Sequence, residues 1–253
     1  SNFSKIPGSP VAYWASKAVL DAFNNKILYD VARPRQGLAT TNNDLFLRLW
    51  HEVPYYKIGF GCTSQKEASQ TSNKWFPVTK GGTFRRWYGN FEYVVNYENS
   101  GKTICDYIDN TPGVRVKSNG RVINRDLYFH EGMTWSTIAS GPFGMRFVPS
   151  GFIFETKGSM CFAERDILTY LLGLYNSVVM KSFLAVVSPT MDYHEGPLGK
   201  TPVIIKNTDR IKELVNNNIS ISKKDWDSFE NSWNFKLHPF MYYKTTGFLA
   251  EAF

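Results

Sequence analysis

Between Arg35 and about Phe162 the chain repeatedly sets short aromatic or β-branched runs against glycine, asparagine and proline. Tyr93-Val94-Val95-Asn96-Tyr97 followed by Glu98-Asn99-Ser100-Gly101 is one instance. Runs of that length, closed by residues that accept turn geometry, build short strands and loops and leave no room for long helices. Ser118-Asn119-Gly120-Arg121 is read as a tight hairpin, and Phe147-Val148-Pro149-Ser150-Gly151-Phe152-Ile153-Phe154 as two strands around a turn. Helical spacing occupies the flanks. Ser9-Pro10 offers an N-cap and a first-turn proline, and Tyr13, Trp14, Leu20, Phe23, Ile27 and Val31 supply an apolar face for a helix to about Ala32. Leu168, Leu171, Leu172, Tyr175, Val178, Val179, Phe183 and Val186 mark an amphipathic helix ending before Pro189. A short helix is expected over Asp209 to Asn217 and another from Ser222, with Trp226, Phe229 and Trp233 on one face. The expected fold class is therefore α+β, an antiparallel β-rich middle flanked by N-terminal and C-terminal helices.

At 253 residues, 43% of them apolar and 20% charged, the chain suffices for one large domain, and these proportions exclude a disordered one. Its apolar runs fall short of the ~20 residues that a bilayer-spanning helix needs, so no membrane partner is expected. The net charge of +7 suits a polyanionic partner without demanding one. Cys62, Cys105 and Cys161 are odd in number and far apart, which argues against a disulfide framework or a thiolate zinc site and for a reducing, cytoplasmic location. A start at Ser1-Asn2-Phe3 without methionine is read as an excised fragment.

Catalytic motifs are missing. His51, His130, His194 and His238 lack the paired spacing of a zinc hydrolase, and His130-Glu131 has no second histidine. No Gly-x-Ser-x-Gly elbow or phosphate loop occurs; Ile58-Gly59-Phe60-Gly61 and Lys80-Gly81-Gly82 read as turns. No catalytic, cofactor-binding or metal-binding residue is nominated. The stretch Lys74 to Tyr88 is more informative: Lys74, Lys80, Arg85 and Arg86 occur with no acidic residue and interleave with Trp75, Phe76, Phe84, Trp87 and Tyr88. Cations for phosphates and planar groups for bases belong together in nucleic-acid sites, although the same pattern arises when aromatics form a core and cations solvate it. Arg115, Lys117, Arg121 and Arg125 form a second basic run around Asn119-Gly120. It reads equally as a groove-entering hairpin and as a soluble sheet edge.

Several segments, in order, carry a family resemblance. They are Ile6-Pro7-Gly8-Ser9-Pro10-Val11-Ala12-Tyr13-Trp14, Arg35-Gln36-Gly37-Leu38-Ala39-Thr40-Thr41-Asn42-Asn43-Asp44-Leu45-Phe46-Leu47-Arg48, Lys74-Trp75-Phe76-Pro77 and Phe84-Arg85-Arg86-Trp87-Tyr88-Gly89-Asn90. Thr134-Trp135-Ser136, Tyr170-Leu171-Leu172-Gly173-Leu174-Tyr175-Asn176-Ser177, Pro189-Thr190-Met191-Asp192-Tyr193 and Lys224-Asp225-Trp226-Asp227-Ser228-Phe229-Glu230 extend it nearly to the end. Together they resemble the specificity region of bacterial N6-adenine DNA methyltransferases of BREX phage-defence systems and related type IIG restriction-modification enzymes.

The resemblance implies a target-recognition domain without its catalytic half. The S-adenosylmethionine motif and the Asn-Pro-Pro-Tyr/Phe motif of such enzymes are absent, Glu52-Val53-Pro54-Tyr55-Tyr56 being only an echo of the second. No cofactor is expected here; S-adenosylmethionine is expected for the parent enzyme. The expected division is an N-terminal helical connector over 1–34, a target-recognition domain over 35–206 and a truncated C-terminal helical segment over 207–253. Expected partners are double-stranded DNA, the parent's catalytic domain and other defence proteins. Once an adenine is flipped into a catalytic pocket its sequence context must be read by another surface. The residues expected to face DNA are Thr40, Asn42, Lys80, Arg85, Arg86, Asn90, Lys117, Arg121 and Arg146. Trp75, Trp87 and Trp135 are expected mainly as core supports, and Trp226, Phe229 and Trp233 as docking groups. The competing reading is a protein-interaction or structural domain of the same enzyme.

Overall fold

The structure is a computed structural model and describes residue 6 and residues 12–139 and 141–242. Its strands, in chain order, are β1 (Arg33–Arg35), β2 (Leu47–Leu49), β3 (Trp75–Thr79), β4 (Tyr93–Asn96), β5 (Gly132–Trp135), β6 (Met145–Val148), β7 (Ile153–Phe154) and β8 (Met160–Phe162). The helices are α1 (Lys17–Ala22), α2 (Leu28–Val31), α3 (Asn43–Phe46), α4 (Gln65–Gln70), α5 (Glu98–Asn110), α6 (Ser118–Arg121), α7 (Arg165–Tyr175), α8 (Val178–Val187), α9 (Glu195–Gly199), α10 (Thr208–Trp226) and α11 (Pro239–Tyr242). The fold is α+β, as the patterning implies. One sheet has the order β1-β8-β5-β6 and is antiparallel throughout; the other, β2-β4-β3-β7, is antiparallel except where Val78 pairs with Ile153 and Thr79 with Phe154 in parallel.

The segment from Phe147 to Phe154 does form two strands around a turn, at Gly151 with φ of 107°. They do not pair with each other. β6 closes one sheet and β7 the other, so this short turn carries the chain between sheets.

Ser118–Arg121 is not a hairpin but the single helical turn α6, with the Val122 amide bonded to the Ser118 carbonyl at 2.8 Å. The Asp109 carboxylate at the end of α5 captures it, accepting from the Ser118 amide at 2.8 Å and hydroxyl at 2.7 Å, a tertiary cap invisible in local turn chemistry. The strand-and-loop middle also holds α5, entered through left-handed Asn99, Ser100 and Gly101 and burying Ile104 and Ile108.

The expected N-terminal helix is two short ones. Its start at Ser9-Pro10 lies outside the described residues; α1 is capped by Ser16, and Asn24-Asn25 ends it before Asp30 recaps α2 by accepting from the Ile27 amide at 2.8 Å. The expected helix over 168–186 breaks into α7 and α8, bent by 82°. Asn176 makes the break. Its amide group exchanges hydrogen bonds with the Met145 backbone at 3.0 and 2.9 Å, clamping the bend to β6, while Ser177 caps α8. Conversely, the two helices expected around Ser222 are one. Ile211, Val215, Ile219 and Trp226 keep helical spacing across Asn216-Asn217-Asn218, so burial against α7 outweighs the poor helix propensity of asparagine. Gly173 permits that contact, since a Cβ there would meet Val215 Cγ2 at 2.8 Å.

Among the described residues two large apolar cores result, with a small third cluster of Ile58, Trp75 and Val94. Phe76, Val95, Tyr97, Phe129, Phe152, Phe154 and Trp226 fill one; Trp135, Met145, Leu171, Leu172, Phe183 and Leu198 fill the other. Trp135 is wholly buried and donates from Nε1 to the Tyr193 carbonyl at 2.7 Å. Trp135→Ala is expected to lower stability by about 3–5 kcal/mol in urea denaturation, from the cavity and the orphaned carbonyl together. Among the described residues no single helix is long and apolar enough to cross a membrane.

Candidate nucleic-acid interface

β3 and β7 run parallel and end side by side, so the loops leaving Thr79 and Phe154 start from one edge of the second sheet. Backbone hydrogen bonds then gather further loops around them. The Glu155 amide donates to Thr79 O at 3.1 Å, Leu38 to Phe154 O at 2.9 Å, Thr156 to Leu38 O at 3.1 Å, Ala39 to Arg121 O at 2.8 Å and Thr137 to Lys157 O at 3.1 Å. Ser136 Oγ adds a bond to Gly82 O at 3.0 Å. Such close passage requires glycine. A Cβ on Gly37 would lie 1.8 Å from Phe154 O, and one on Gly158 2.4 Å from the Thr79 carbonyl carbon.

Thr40, Asn42 and Arg121 come together here from distant parts of the chain, lining with Glu155 an open hollow of 420 Å³. Thr40 is 1% exposed and donates to Asn43 Oδ1 at 2.5 Å. Asn42 caps α3 through the Leu45 amide at 3.1 Å and donates to the Tyr107 hydroxyl at 3.1 Å, so much of its amide is committed to the fold. Arg121 is half-buried, with Nε on Val116 O; Lys117 is exposed, with Nζ on Asp109 O at 2.9 Å. Lys80 lies over the Tyr93 ring at 4.3 Å and, with Lys157, near Glu155.

The remaining expected residues surround the adjoining loop 81–90. Arg86 is exposed above the Phe84 ring at 5.4 Å. Arg85 pairs with Asp225 at 2.8 Å and covers Trp226 at 5.1 Å, tying the loop to α10. Asn90 is buried with φ of 61°, its amide donating to Gly81 O at 3.3 Å and Thr83 O at 2.8 Å; it staples the loop and does not reach solvent. Arg146 is 2% exposed, on β6. Burial, with Arg85 nearby, lowers its pKa to about 10, which leaves it charged at neutral pH. The aromatics divide likewise. Trp75, Trp135 and Trp226 are buried and Trp87 and Trp233 half-buried in the cores, whereas Phe229 is exposed.

Two groups escaped notice in the sequence. Lys157 is exposed in the turn after β7, beside the gathered loops. Glu155 is 3% exposed, accepts from the Lys157 amide at 2.7 Å and from Thr156 Oγ1 at 2.9 Å, and has its pKa raised by burial against the pull of those bonds and of Lys80 and Lys157. A lysine-glycine pair after an apolar strand, with two residues between, was the available signal for the first. Nothing local marks the second.

With this geometry in hand, comparison with known proteins is specific. The chain is 44% identical over 239 residues to the adenine-specific methyltransferase PglX of Lacticaseibacillus casei strain Zhang, which spans 93% of this chain and 19% of that protein. The chain is similar to one segment of a methyltransferase. It is also 36% identical over 248 residues to the adenine-specific methyltransferase BrxX of Escherichia coli O9:H4 strain HS, again over 19% of that protein's length. It thus spans about a fifth of these relatives. No protein-family model matches it.

Proposed function

We propose that this chain is the DNA-reading domain of a BREX-type adenine-specific methyltransferase, binding duplex DNA through the loops gathered at the ends of β3 and β7. The observation that carries the reading is the convergence of Thr40, Asn42, Lys80, Arg121 and Lys157 from separate segments onto one rim. Exposed Arg86 and Lys117 flank it. The cations set position on phosphates, and the exposed polar side chains of the hollow, Thr41 and Asn43, held in place by Thr40 and Asn42, meet base edges. Methyl transfer and S-adenosylmethionine belong, in this reading, to the remainder of the longer protein. The test is titration of a fluorescent random-sequence duplex across salt. Affinity should fall on a log–log plot by roughly 0.9 per phosphate contacted. Absent binding, or binding indifferent to salt, would overturn the reading.

Glu155 tempers this rim. A carboxyl with a pKa raised in the fold contributes stability that is fully present below its unfolded value of ~4.3 and is lost as pH rises through the folded value. Glu155→Gln should therefore gain in Tm over the wild type as pH rises through that window, as thermal melting across pH would read.

A second surface favours docking to protein. Trp87, Tyr170, Val179, Ile204, Ile211 and Leu214 line an apolar cleft of 520 Å³ between α7, α8 and α10, with Val179 and Leu214 exposed. Its occupant in this reading is another part of the longer methyltransferase, of which this chain spans 19%.

A further inference from the structure

Beside Arg146 the described residues form a second cleft, of 380 Å³, lined by Thr83, Arg85, Ser136, Gly141, Gly144 and Arg146 among others and by no carboxylate. Arg146 is held in it in an unusual way. A guanidinium carries five N–H donors. Among the described residues the guanidinium of Arg146 makes one long hydrogen bond, Nη2 to Gly81 O at 3.4 Å, and buried Nε has no partner. No described Asp or Glu pairs with it. The charge that acts on it, across the same cleft, is another cation, Arg85, whose own carboxylate, Asp225, sits on α10. A buried cation next to a cation, with a free donor and an open cleft, lacks the anion that would complete it. Other described cations have carboxylate partners: Arg165 reaches Glu131, and Lys212 and Lys223 reach Asp166 and Asp227.

We infer that this cleft is a phosphate site, in which Arg146, assisted by Arg85, grips the oxygens of one phosphate group. Planar, bidentate donation is the guanidinium's specific advantage over lysine for this ligand. Because Gly81 and Gly82 join the cleft to Lys80 on the DNA-reading rim, the phosphate is either a diester of bound DNA or free phosphate. The cleft itself does not depend on the DNA-reading proposal.

The experiment measures Tm of the chain in inorganic phosphate against chloride at matched ionic strength. For a domain of this size, phosphate at ten times its dissociation constant should raise Tm by about 3 °C. That rise should vanish in Arg146→Gln. A second variant, Thr83→Asp, places a carboxylate at the mouth of the cleft and should abolish the rise while raising the starting Tm. No rise in the wild type, or an undiminished rise in either variant, would overturn the site. The source of the phosphate is read separately. If phosphate competes with duplex DNA beyond matched chloride, and methylphosphonate at one backbone position removes the competition, the ligand is a DNA diester. If the Tm rise persists without such competition, the site is one for free phosphate, and the DNA-reading proposal is judged by its own titration.

Discussion

A chain carrying Lys117→Glu, Arg121→Glu and Lys157→Glu together is expected to bind duplex DNA about a hundredfold more weakly near 0.15 M salt, with a salt slope flatter by roughly 0.9 for each lost phosphate contact. The magnitude follows from counterion release: three contacts at that slope account for about two decades of affinity at this ionic strength before repulsion is added. These positions are chosen because the fold barely uses their side chains. Lys117 Nζ and Arg121 Nε each make a backbone hydrogen bond, and Lys157 is exposed while its backbone holds the loop. Circular-dichroism melting should show little change in Tm. Charge reversal at Arg85 is a poorer probe, since it would set a second carboxylate against Asp225 and loosen α10 from the loop. Wild-type affinity in the triple variant, with an unchanged slope, would remove the rim from the account.

Gly37→Ala and Gly158→Ala are expected to be the most damaging small substitutions outside the cores. Each puts a methyl group into backbone: 1.8 Å from Phe154 O in the first case, 2.5 Å from Thr79 O in the second. Backbone cannot rotate away as a long side chain does, so the loops must part. A loss of about 3 kcal/mol or more is expected in urea denaturation. The same bonds assemble the rim, so surviving folded protein should also bind DNA more weakly at equal concentration of native chain. Substitution at Gly113, whose Cβ would meet nothing within 4 Å, should cost only what its φ of 80° imposes and leave binding intact. Equal damage at all three would show that the close approaches are not what matters.

The contrast between these positions shows what could be read from the sequence. Local chemistry identified strands such as Tyr93–Asn96 and the turn at Gly151 because alternation and turn residues lie next to each other in the chain. It misjudged Ser118–Arg121, where the deciding hydrogen bonds come from Asp109, and the helix at 168–186, where Asn176 trades a helical continuation for bonds to Met145. The basic residues were visible as a composition of cations and aromatics, but their roles were not. Arg86 and Lys117 stand in solvent, whereas Asn90 and Arg146 are interior, and only the pairing of β3 with β7 reveals that Thr40, Lys80, Arg121 and Lys157 share a rim. Non-local pairing of that kind leaves no periodicity to detect.

In the proposed reading, this segment chooses the DNA sequence that a longer methyltransferase modifies. The direct measurement replaces, in a full-length relative, the segment that matches this chain by the matching segment of another relative that methylates a different site, and maps methylated adenines across the host genome. The methylated sequence should follow the transplanted segment. Retained methylation of the original sequence, by a stable chimera, would contradict the account.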